Sequence, residues 1–176
     1  MAADYVLTES DIARTLKRIA HEIVEGNPEA DHLVLLGIPT RGAVLARRLA
    51  HHIGDITGVV PPVGTLDVTL YRDDLGDGAM RVPQPTQAPE GGIDDRVVVL
   101  VDDVLFSGRT VRAAFDALID LGRPRAVRLA VLVDRGHREF PIRADYVGKN
   151  LPSALNERVS VYVEDVDHEE GVRVER

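Results

Sequence analysis

The chain contains no cysteine and no tryptophan, and its only lysines are Lys17 and Lys149. Without cysteine it has no disulfide framework, no cysteine-ligated zinc site and no thiol nucleophile. No stretch approaches the roughly 20 apolar residues that a bilayer-spanning helix needs, and residues 1–8 lack the basic and apolar regions of a signal peptide. We therefore expect a soluble cytoplasmic protein with no membrane partner.

Two common nucleotide-binding motifs are also missing. The sequence has no Gly-Lys-Ser or Gly-Lys-Thr of a Walker A loop and no Gly-x-Gly-x-x-Gly dinucleotide turn. The formal net charge of −8 argues against a protein that coats nucleic acid without specificity, because phosphate binding requires a positive surface. Any contact with RNA must come from a local patch of basic residues.

The most informative segment of the chain begins with an uninterrupted apolar run, Val97–Val101. Such a run is typical of a parallel strand that is covered on both faces, and binding sites lie at the carboxyl ends of these strands. There, Asp102 and Asp103 supply acceptors for the two cis hydroxyls of a ribose. Residues 107–110 then open a helix whose amides and dipole favour an anion. The segment predicts a sugar-phosphate pocket, in which the acids hold the sugar and the amides hold its 5′-phosphate.

A second combination of strand, loop and helix has the same character. The apolar run Leu33–Ile38 leads into Pro39–Gly42, where glycine permits unusual backbone angles. This loop offers the amides of Thr40 and Arg41, and the Arg41 guanidinium, to a diphosphate. Beside the strand that carries the acids, it would form a second phosphate site.

Two helices have clear signals. The first begins with a capping box between Thr8 and Asp11, and the other follows residues 107–110. Their predicted buried stripes are Ile12, Leu16, Ile19, Ala20 and Ile23 in the first, and Val111, Ala114, Phe115 and Leu118 in the second.

The remaining pattern predicts one α/β domain over residues 1–176. Residues 126–133 read as another buried strand, and residues 158–175 as a C-terminal hairpin. Alternation over residues 63–71 predicts a strand that leads into a glycine- and proline-rich arm at residues 72–92. A loop of this length is usually functional or disordered, and we interpret it as a mobile lid that excludes water.

The segment Val97–Thr110 resembles, along its whole length, the 5-phosphoribosyl-1-pyrophosphate (PRPP) signature of the type I phosphoribosyltransferases. The resemblance implies their fold, a central and mainly parallel sheet flanked by helices, with a flexible lid arm and a small hood. The candidate catalytic residues are Asp102, Asp103, Arg41 and Arg72. The residues expected to bind PRPP and its phosphates are Thr40, Arg41, Asp102, Asp103, Val104, Leu105, Phe106, Ser107, Gly108, Arg109 and Thr110.

The base and the metal of this reaction have their own candidates. We expect the backbone of Val133, Asp134 and Arg135 to hold the base edge-on. Magnesium is expected on the diphosphate and ribose oxygens, because this hard cation keeps several waters and needs few carboxylates. Asp134 is a candidate ligand that would reach Mg²⁺ through the substrate, whereas the two acids after the strand are better placed to hold hydroxyls.

Five segments extend the similarity to the bifunctional pyrimidine-operon regulators of this family: Arg18–Glu22, Gly37–Gly42, Leu66–Leu75, Val133–Glu139 and Pro141–Asn150. This resemblance implies synthesis of UMP and diphosphate from uracil and PRPP. It also implies binding of a pyrimidine-gene mRNA leader in response to uridine nucleotides such as UMP or UTP, and a homodimer or higher homo-oligomer.

The resemblance also implies an RNA-binding face. Its members are Arg18, His21, His137, Arg138, Arg143 and Lys149, to which the basic stripe of the first helix adds Arg14 and Lys17. Lys17 replaces a hydroxyl residue common in the family, and Gly26 stands where a basic side chain occurs. Such a stripe is also typical of an ordinary solvated helix face. Two alternatives therefore stay open, a phosphoribosyltransferase for uracil or another base without RNA binding, and a nucleotide-sensing RNA regulator with little catalysis.

Overall fold

The computed structural model describes residues 4–73 and 82–176, and its centre is a five-stranded parallel sheet. The strands are β2 (Leu33–Gly37), β3 (Val63–Thr65), β4 (Val97–Leu105), β5 (Ala126–Asp134) and β6 (Tyr146–Asn150). Their order in the sheet is β3-β2-β4-β5-β6. In the central pair, Gly37 at the end of β2 lies opposite Val101. The loop after β2 and the acids of β4 therefore meet at one edge of the sheet, and the α/β fold is confirmed.

Helices cover both faces of this sheet. The first core contains α1 (Glu9–Gly26) and α2 (Arg41–Thr57), and the second contains α3 (Arg109–Leu121). Alternate residues of β2 point into different cores. Leu33 and Leu35 pack in the first core, and Val34 and Leu36 pack in the second. The apolar runs lack polar alternation because each residue of these strands faces a helix.

The first helix begins and packs as the sequence predicts. The Asp11 amide donates to the Thr8 hydroxyl (3.3 Å), and the Thr8 amide donates to the Asp11 carboxylate (2.8 Å). All five members of its predicted stripe are buried. The capping box and the helical spacing are local signals, and both are confirmed.

A second, smaller sheet is built from the two ends of the chain. Its strands are β1 (Leu7–Thr8), β7 (Arg158–Tyr162) and β8 (Gly171–Glu175), antiparallel in the order β1-β8-β7. The short helix α4 (Glu164–Asp167) connects β7 to β8. We call residues 158–175 together with β1 the hood. Strands β7 and β8 occupy the segment predicted as a hairpin, whereas β1 was not expected.

The strand predicted over residues 63–71 is wrong beyond Thr65, where β3 ends. The Asp67 carboxylate accepts hydrogen bonds from the Thr69 amide (3.0 Å) and hydroxyl (2.7 Å). This local side-chain acceptor turns the backbone, and Thr69–Tyr71 form one turn of 3₁₀-helix.

The predicted burial of Phe115 is also wrong, because its side chain is 43% exposed. The buried residues of α3 are Val111, Ala113, Ala114, Ala117 and Leu118. The face that meets the sheet is thus rich in alanine, which lets the helix approach closely, and Phe115 lies beside that face.

The predicted lid at residues 72–92 is described only in part, since residues 74–81 lie outside the described residues. After this gap, Gln87 pairs with Thr65 of β3 through two backbone hydrogen bonds of 2.9 Å. Within the described ranges, no helix is long and apolar enough to cross a bilayer.

Candidate active site

The two adjacent acids lie inside β4, which continues to Leu105 instead of ending at Val101. Asp102 is 8% exposed, and Asp103 is half-buried. One oxygen of each carboxylate is fixed by the next backbone amide along the chain, at 2.9 Å from Asp103 to Asp102 and at 2.8 Å from Val104 to Asp103. The strand therefore presents two oriented carboxylates at its carboxyl end.

The predicted phosphate turn follows β4 directly. Gly108 is the N-cap of α3 with φ +91°, a left-handed conformation that favours glycine, and α3 has no side-chain cap hydrogen bond. Helix α2 also begins without one, at Thr40, whereas α1 has its capping box. The Arg109 amide donates to the Ser107 hydroxyl at 3.3 Å, but neither N-cap residue caps its helix, so other first-turn amides beside the acids are left for an anion.

The predicted diphosphate loop lies against β4. A Cβ added at Gly42 would come within 2.5 Å of the Val101 carbonyl oxygen, so only glycine allows this approach. Arg41 donates from Nε and Nη2 to the two carboxylate oxygens of Asp167 on α4, at 3.1 and 2.7 Å. The Thr40 hydroxyl accepts from Gln84 Nε2 at 2.9 Å. The loop is held between the arm and the hood.

The start of the arm contacts the phosphate turn. Arg72, a candidate catalytic residue, donates to the Thr110 hydroxyl at 3.1 Å. Asp73 accepts from Arg109 at 2.9 Å, and Arg109 also pairs with Glu139 at 2.6 Å. Arg72 is therefore brought beside α3, together with the residues predicted to bind phosphate.

These elements surround one cleft of about 1440 Å³, which contains the acids, both loops and part of the hood. Sequence reasoning missed the hood residues that line it, Arg158, Ser160, Tyr162 and Glu175. The alternation of Arg158, Ser160 and Tyr162 with the buried Val159 and Val161 is a signal that predicts one polar face of β7.

The predicted base-binding residues lie at the end of β5. Val133 is fully buried in the sheet, while Arg135 lines the cleft at 7% exposure. The Arg135 guanidinium donates to Ser153 Oγ (3.0 Å) and to the carbonyl oxygens of Ala154 (2.9 Å) and Glu157 (2.8 Å). It also lies over the Phe106 ring, 4.2 Å from the centroid. Arg135 thus joins the phosphate turn to the segment before the hood.

Asp134 has a cationic partner. Arg138 donates from Nη2 to Asp134 Oδ2 (2.5 Å), from Nη1 to the Phe106 carbonyl oxygen (2.8 Å) and from Nε to the Ile142 carbonyl oxygen (2.8 Å). Burial alone would raise the pKa of Asp134, but the hydrogen bonds from Arg138 and the Gly136 amide outweigh it and lower the pKa. Asp134 is therefore an engaged carboxylate at neutral pH.

The donor set limits how a divalent cation is held. Among residues 4–73 and 82–176, no group of three or more carboxylates and imidazoles is arranged to hold a metal ion. Oriented carboxylates border the cleft at Asp102 and Asp103. This set fits a magnesium ion that takes most of its ligands from substrate oxygens and water, and does not fit a resident metal held by protein alone.

The predicted RNA-binding residues of α1 meet β6. Arg18 donates to Glu22 (2.7 Å) and to the carbonyl oxygens of Val147 (3.3 Å) and Gly148 (2.5 Å), next to Lys149. Arg14 pairs with Asp11. The basic stripe of α1 therefore lies beside the edge strand β6, with Arg14 and Arg18 paired to acids of their own helix.

The other predicted RNA-binding residues divide into two environments. His137 and Arg138 surround Phe106, with the His137 ring edge-on to it at 6.1 Å and His137 Nε2 bonded to the Ser153 carbonyl oxygen at 2.5 Å. By contrast Lys17, His21, Arg143 and Lys149 are exposed and form no ion pair within the part of the chain that the structure describes.

Comparisons with known proteins identify the family of the chain. The phosphoribosyl transferase domain model matches residues 3–166. A bifunctional protein PyrR from Leifsonia xyli subsp. xyli is 61% identical, and the match covers 99% of this chain and 98% of that protein. A bifunctional protein PyrR from Streptomyces coelicolor is 64% identical, covering 95% of this chain and 86% of its own length.

Solved structures share the fold. The hypoxanthine phosphoribosyltransferase of Trypanosoma cruzi superposes with a TM-score of 0.75 at 21% identity, covering 99% of this chain and 97% of that one. At this identity the likeness concerns the arrangement of strands and helices and not the base that is bound.

Proposed function

The chain belongs to the phosphoribosyl transferase family, beside relatives named bifunctional protein PyrR, and we propose on this basis that it transfers phosphoribose to uracil and regulates pyrimidine genes. It is a uracil phosphoribosyltransferase, which converts uracil and PRPP to UMP and diphosphate, and a regulator that binds pyrimidine-operon mRNA. The observation that carries the catalytic part is a single cleft where two oriented carboxylates meet two uncapped helix starts.

In the proposed reaction, the bond between ribose C1′ and the diphosphate oxygen breaks, and a bond from uracil N1 to C1′ forms with loss of the N1 proton. The sugar acquires cation-like charge, so the protein contributes position and electrostatics instead of a nucleophile. Asp102 and Asp103 hold the ribose hydroxyls near this charge. The amides of residues 107–110 hold the 5′-phosphate, and Arg41 holds the diphosphate. Arg72 lies beside the phosphate turn.

Magnesium is the proposed cofactor. When bound, it neutralises charge on the departing diphosphate. The substrate oxygens would supply most of its ligands, with Asp102 and Asp103 as the adjacent carboxylates. Asp134, which is paired with Arg138, would reach the ion only through the substrate.

The backbone at Val133, Asp134 and Arg135 is the proposed base site. It adjoins the phosphate turn, since the Arg135 amide donates to the Leu105 carbonyl oxygen at 3.1 Å. Phe106 supplies an apolar surface there, 37% exposed. A planar base bound here would lie next to the sugar that the β4 acids hold.

RNA binding is proposed on the surface formed by α1 and β6, with His137 and Arg138 at the cleft end. Uridine nucleotides in the cleft would regulate it, because Phe106 of the phosphate turn contacts both of these residues. We further propose that residues 1–176 act as one domain in the cytoplasm, and that a homodimer or larger assembly combines the basic surfaces of its subunits.

Formation of UMP from uracil, PRPP and magnesium by the purified chain tests the enzymatic proposal. We expect turnover in the wild type and its loss in Asp102→Asn/Asp103→Asn, which keeps the volume of both side chains but removes their charge. UMP that still binds without any turnover would instead support a nucleotide-sensing regulator.

Fluorescence anisotropy with a labelled pyrimidine-operon leader RNA tests the regulatory proposal. We expect UMP to change the affinity for this RNA, and we expect a scrambled RNA of equal length to bind weakly in both conditions. Equal binding of both RNAs would leave a phosphoribosyltransferase without a regulatory role.

A further inference from the structure

The hood holds the Arg41 guanidinium at the wall of the cleft. Arg41 and Asp167 form a two-point ion pair, from Nε and Nη2 to the two carboxylate oxygens at 3.1 and 2.7 Å. They lie 126 positions apart in the sequence, one at the start of α2 and the other at the end of α4. We propose that Asp167 is a positioning residue, which sets the Arg41 guanidinium for the diphosphate of PRPP. This inference rests on the proposed transferase activity.

Asp167 is itself held in place. Its Oδ2 accepts from the Val163 amide at 2.8 Å, and its side chain is only 14% exposed. Burial opposes ionisation, but the hydrogen bonds from Arg41 and from the Val163 amide outweigh it and lower the pKa of Asp167. The group that orients Arg41 is therefore a fixed anion at neutral pH.

The geometry leaves part of the guanidinium for substrate. Asp167 takes Nε and Nη2, so the Nη1 donors remain for a second acceptor on the cleft side, where Arg41 lines the wall. A planar guanidinium fixed along one edge has lost its rotational freedom before the ligand arrives. Asp167 thereby prepares the diphosphate site without itself lining the cleft.

A second ion pair between the hood and α2 offers a matched control. Arg48 donates to Glu170 at 2.6 and 3.0 Å and to Asp165 at 2.8 Å. These contacts join the same two elements as the pair of Arg41 and Asp167, but none of them touches Arg41. A variant at Glu170 weakens the attachment of the hood and leaves the guanidinium of Arg41 with its partner.

The test compares Asp167→Asn with Glu170→Gln in steady-state kinetics for UMP formation. Asparagine keeps an acceptor for the Val163 amide but removes the charge. Loss of one charge-assisted pair predicts an increase of about tenfold in KM for PRPP, with KM for uracil unchanged. Asp167→Glu should recover part of the loss. Glu170→Gln should leave the KM values for PRPP and uracil unchanged, and it should lower the melting temperature about as much as Asp167→Asn does.

Three results would overturn the inference. The KM for PRPP could be unchanged in Asp167→Asn, or it could be lowered, which would make Asp167 a competitor of the substrate. The third result is an equal increase of the KM for PRPP in Glu170→Gln. A wild type that forms no UMP would contradict the proposed function instead. In that case, calorimetric titration of the wild type and Asp167→Asn with magnesium diphosphate tests the inference, because the inference requires that Asp167→Asn binds diphosphate more weakly. A wild type that binds no diphosphate would also overturn it.

Discussion

At the scale of single residues, the side chains predicted to bind RNA have different structural roles. Arg138 supports the wall of the cleft, since its guanidinium donates to the carbonyl oxygen of Phe106, which lines the cleft, and to Asp134 and Ile142. Arg143 is exposed and has no ion pair among the residues described. A basic residue that the sequence alone assigns to RNA binding can thus stabilise the fold, bind the ligand or do both. Mutation distinguishes these roles.

We predict that Arg138→Ala impairs both activities. It leaves the Asp134 carboxylate, which is 17% exposed, without its cation and releases the carbonyl of the phosphate turn. Removing a hydrogen-bonded charge partner of this kind costs about 2 kcal/mol of unfolding free energy. UMP formation and leader RNA binding should both fall. Arg143→Ala is the control and should weaken RNA binding alone, and normal turnover in Arg138→Ala would contradict this assignment.

At the scale of elements, the turn from β2 into α2 depends on close contact with β4. We predict that Gly42→Ala raises KM for PRPP and lowers stability by about 1–3 kcal/mol, because its Cβ would overlap the Val101 carbonyl oxygen and displace the loop from the acids. Urea unfolding and the PRPP dependence of UMP formation measure the two effects.

Ala46→Gly is the matched variant for this turn. Ala46 is buried in the same helix, and glycine there costs about 1 kcal/mol of helix stability without moving the diphosphate loop. It should lower stability but leave KM for PRPP unchanged. Equal effects of the two variants on KM would show that α2 stability, and not the glycine contact, controls the site.

The hood should respond to acid through its ion pairs. The hydrogen bond from Arg48 lowers the pKa of Asp165 from its ordinary 3.8. A lowered pKa in the folded chain means that this pair stabilises fully above the unfolded value and loses its contribution as pH falls through the folded value. Asp165 is 49% exposed, so the contribution is below about 1 kcal/mol.

We therefore predict that the difference in unfolding free energy between wild type and Asp165→Asn is constant from pH 7 to about pH 5. It should shrink below about pH 4, because the wild-type carboxyl then binds a proton and loses its charge. Urea titrations at a series of pH values measure the difference. A gap that persists undiminished at pH 3 would show that Asp165 stabilises through packing instead of charge.

Elements with local signals were predictable, and contacts between distant segments were not. The capping box of Thr8 and the stripe of α1 involve neighbours within one helix, so the sequence contains the whole signal. Strand β1 depends on pairing of Leu7 with Val172, which no local pattern reveals. The site divides in the same way, since both phosphate loops follow apolar strands, whereas Asp167 reaches Arg41 only through the fold of the hood.

At the scale of the whole molecule, the negative net charge opposes RNA binding. The formal charge is −8, and many arginines are paired with acids of the same chain, for example Arg48 with Glu170 and Arg109 with Glu139. Paired arginines present little net field to a distant phosphate. We propose that RNA uses unpaired side chains on α1 and around β6, among them Lys17, Arg143 and Lys149, and that this restriction makes the electrostatic attraction local.

This restriction predicts the salt dependence of RNA binding. For single-stranded RNA, each neutralised phosphate contributes a slope of about −0.7 to the plot of log affinity against log salt concentration. If Arg143 and Lys149 each contact one phosphate, Arg143→Ala/Lys149→Ala should flatten the slope by about 1.4. The control, Arg96→Ala/Arg125→Ala, removes the same charge just before β4 and β5 and should keep the wild-type slope. Anisotropy titrations across a range of salt concentrations measure all three proteins. Equal flattening in both double variants would mean that the RNA responds to the total charge of the protein and not to a defined surface.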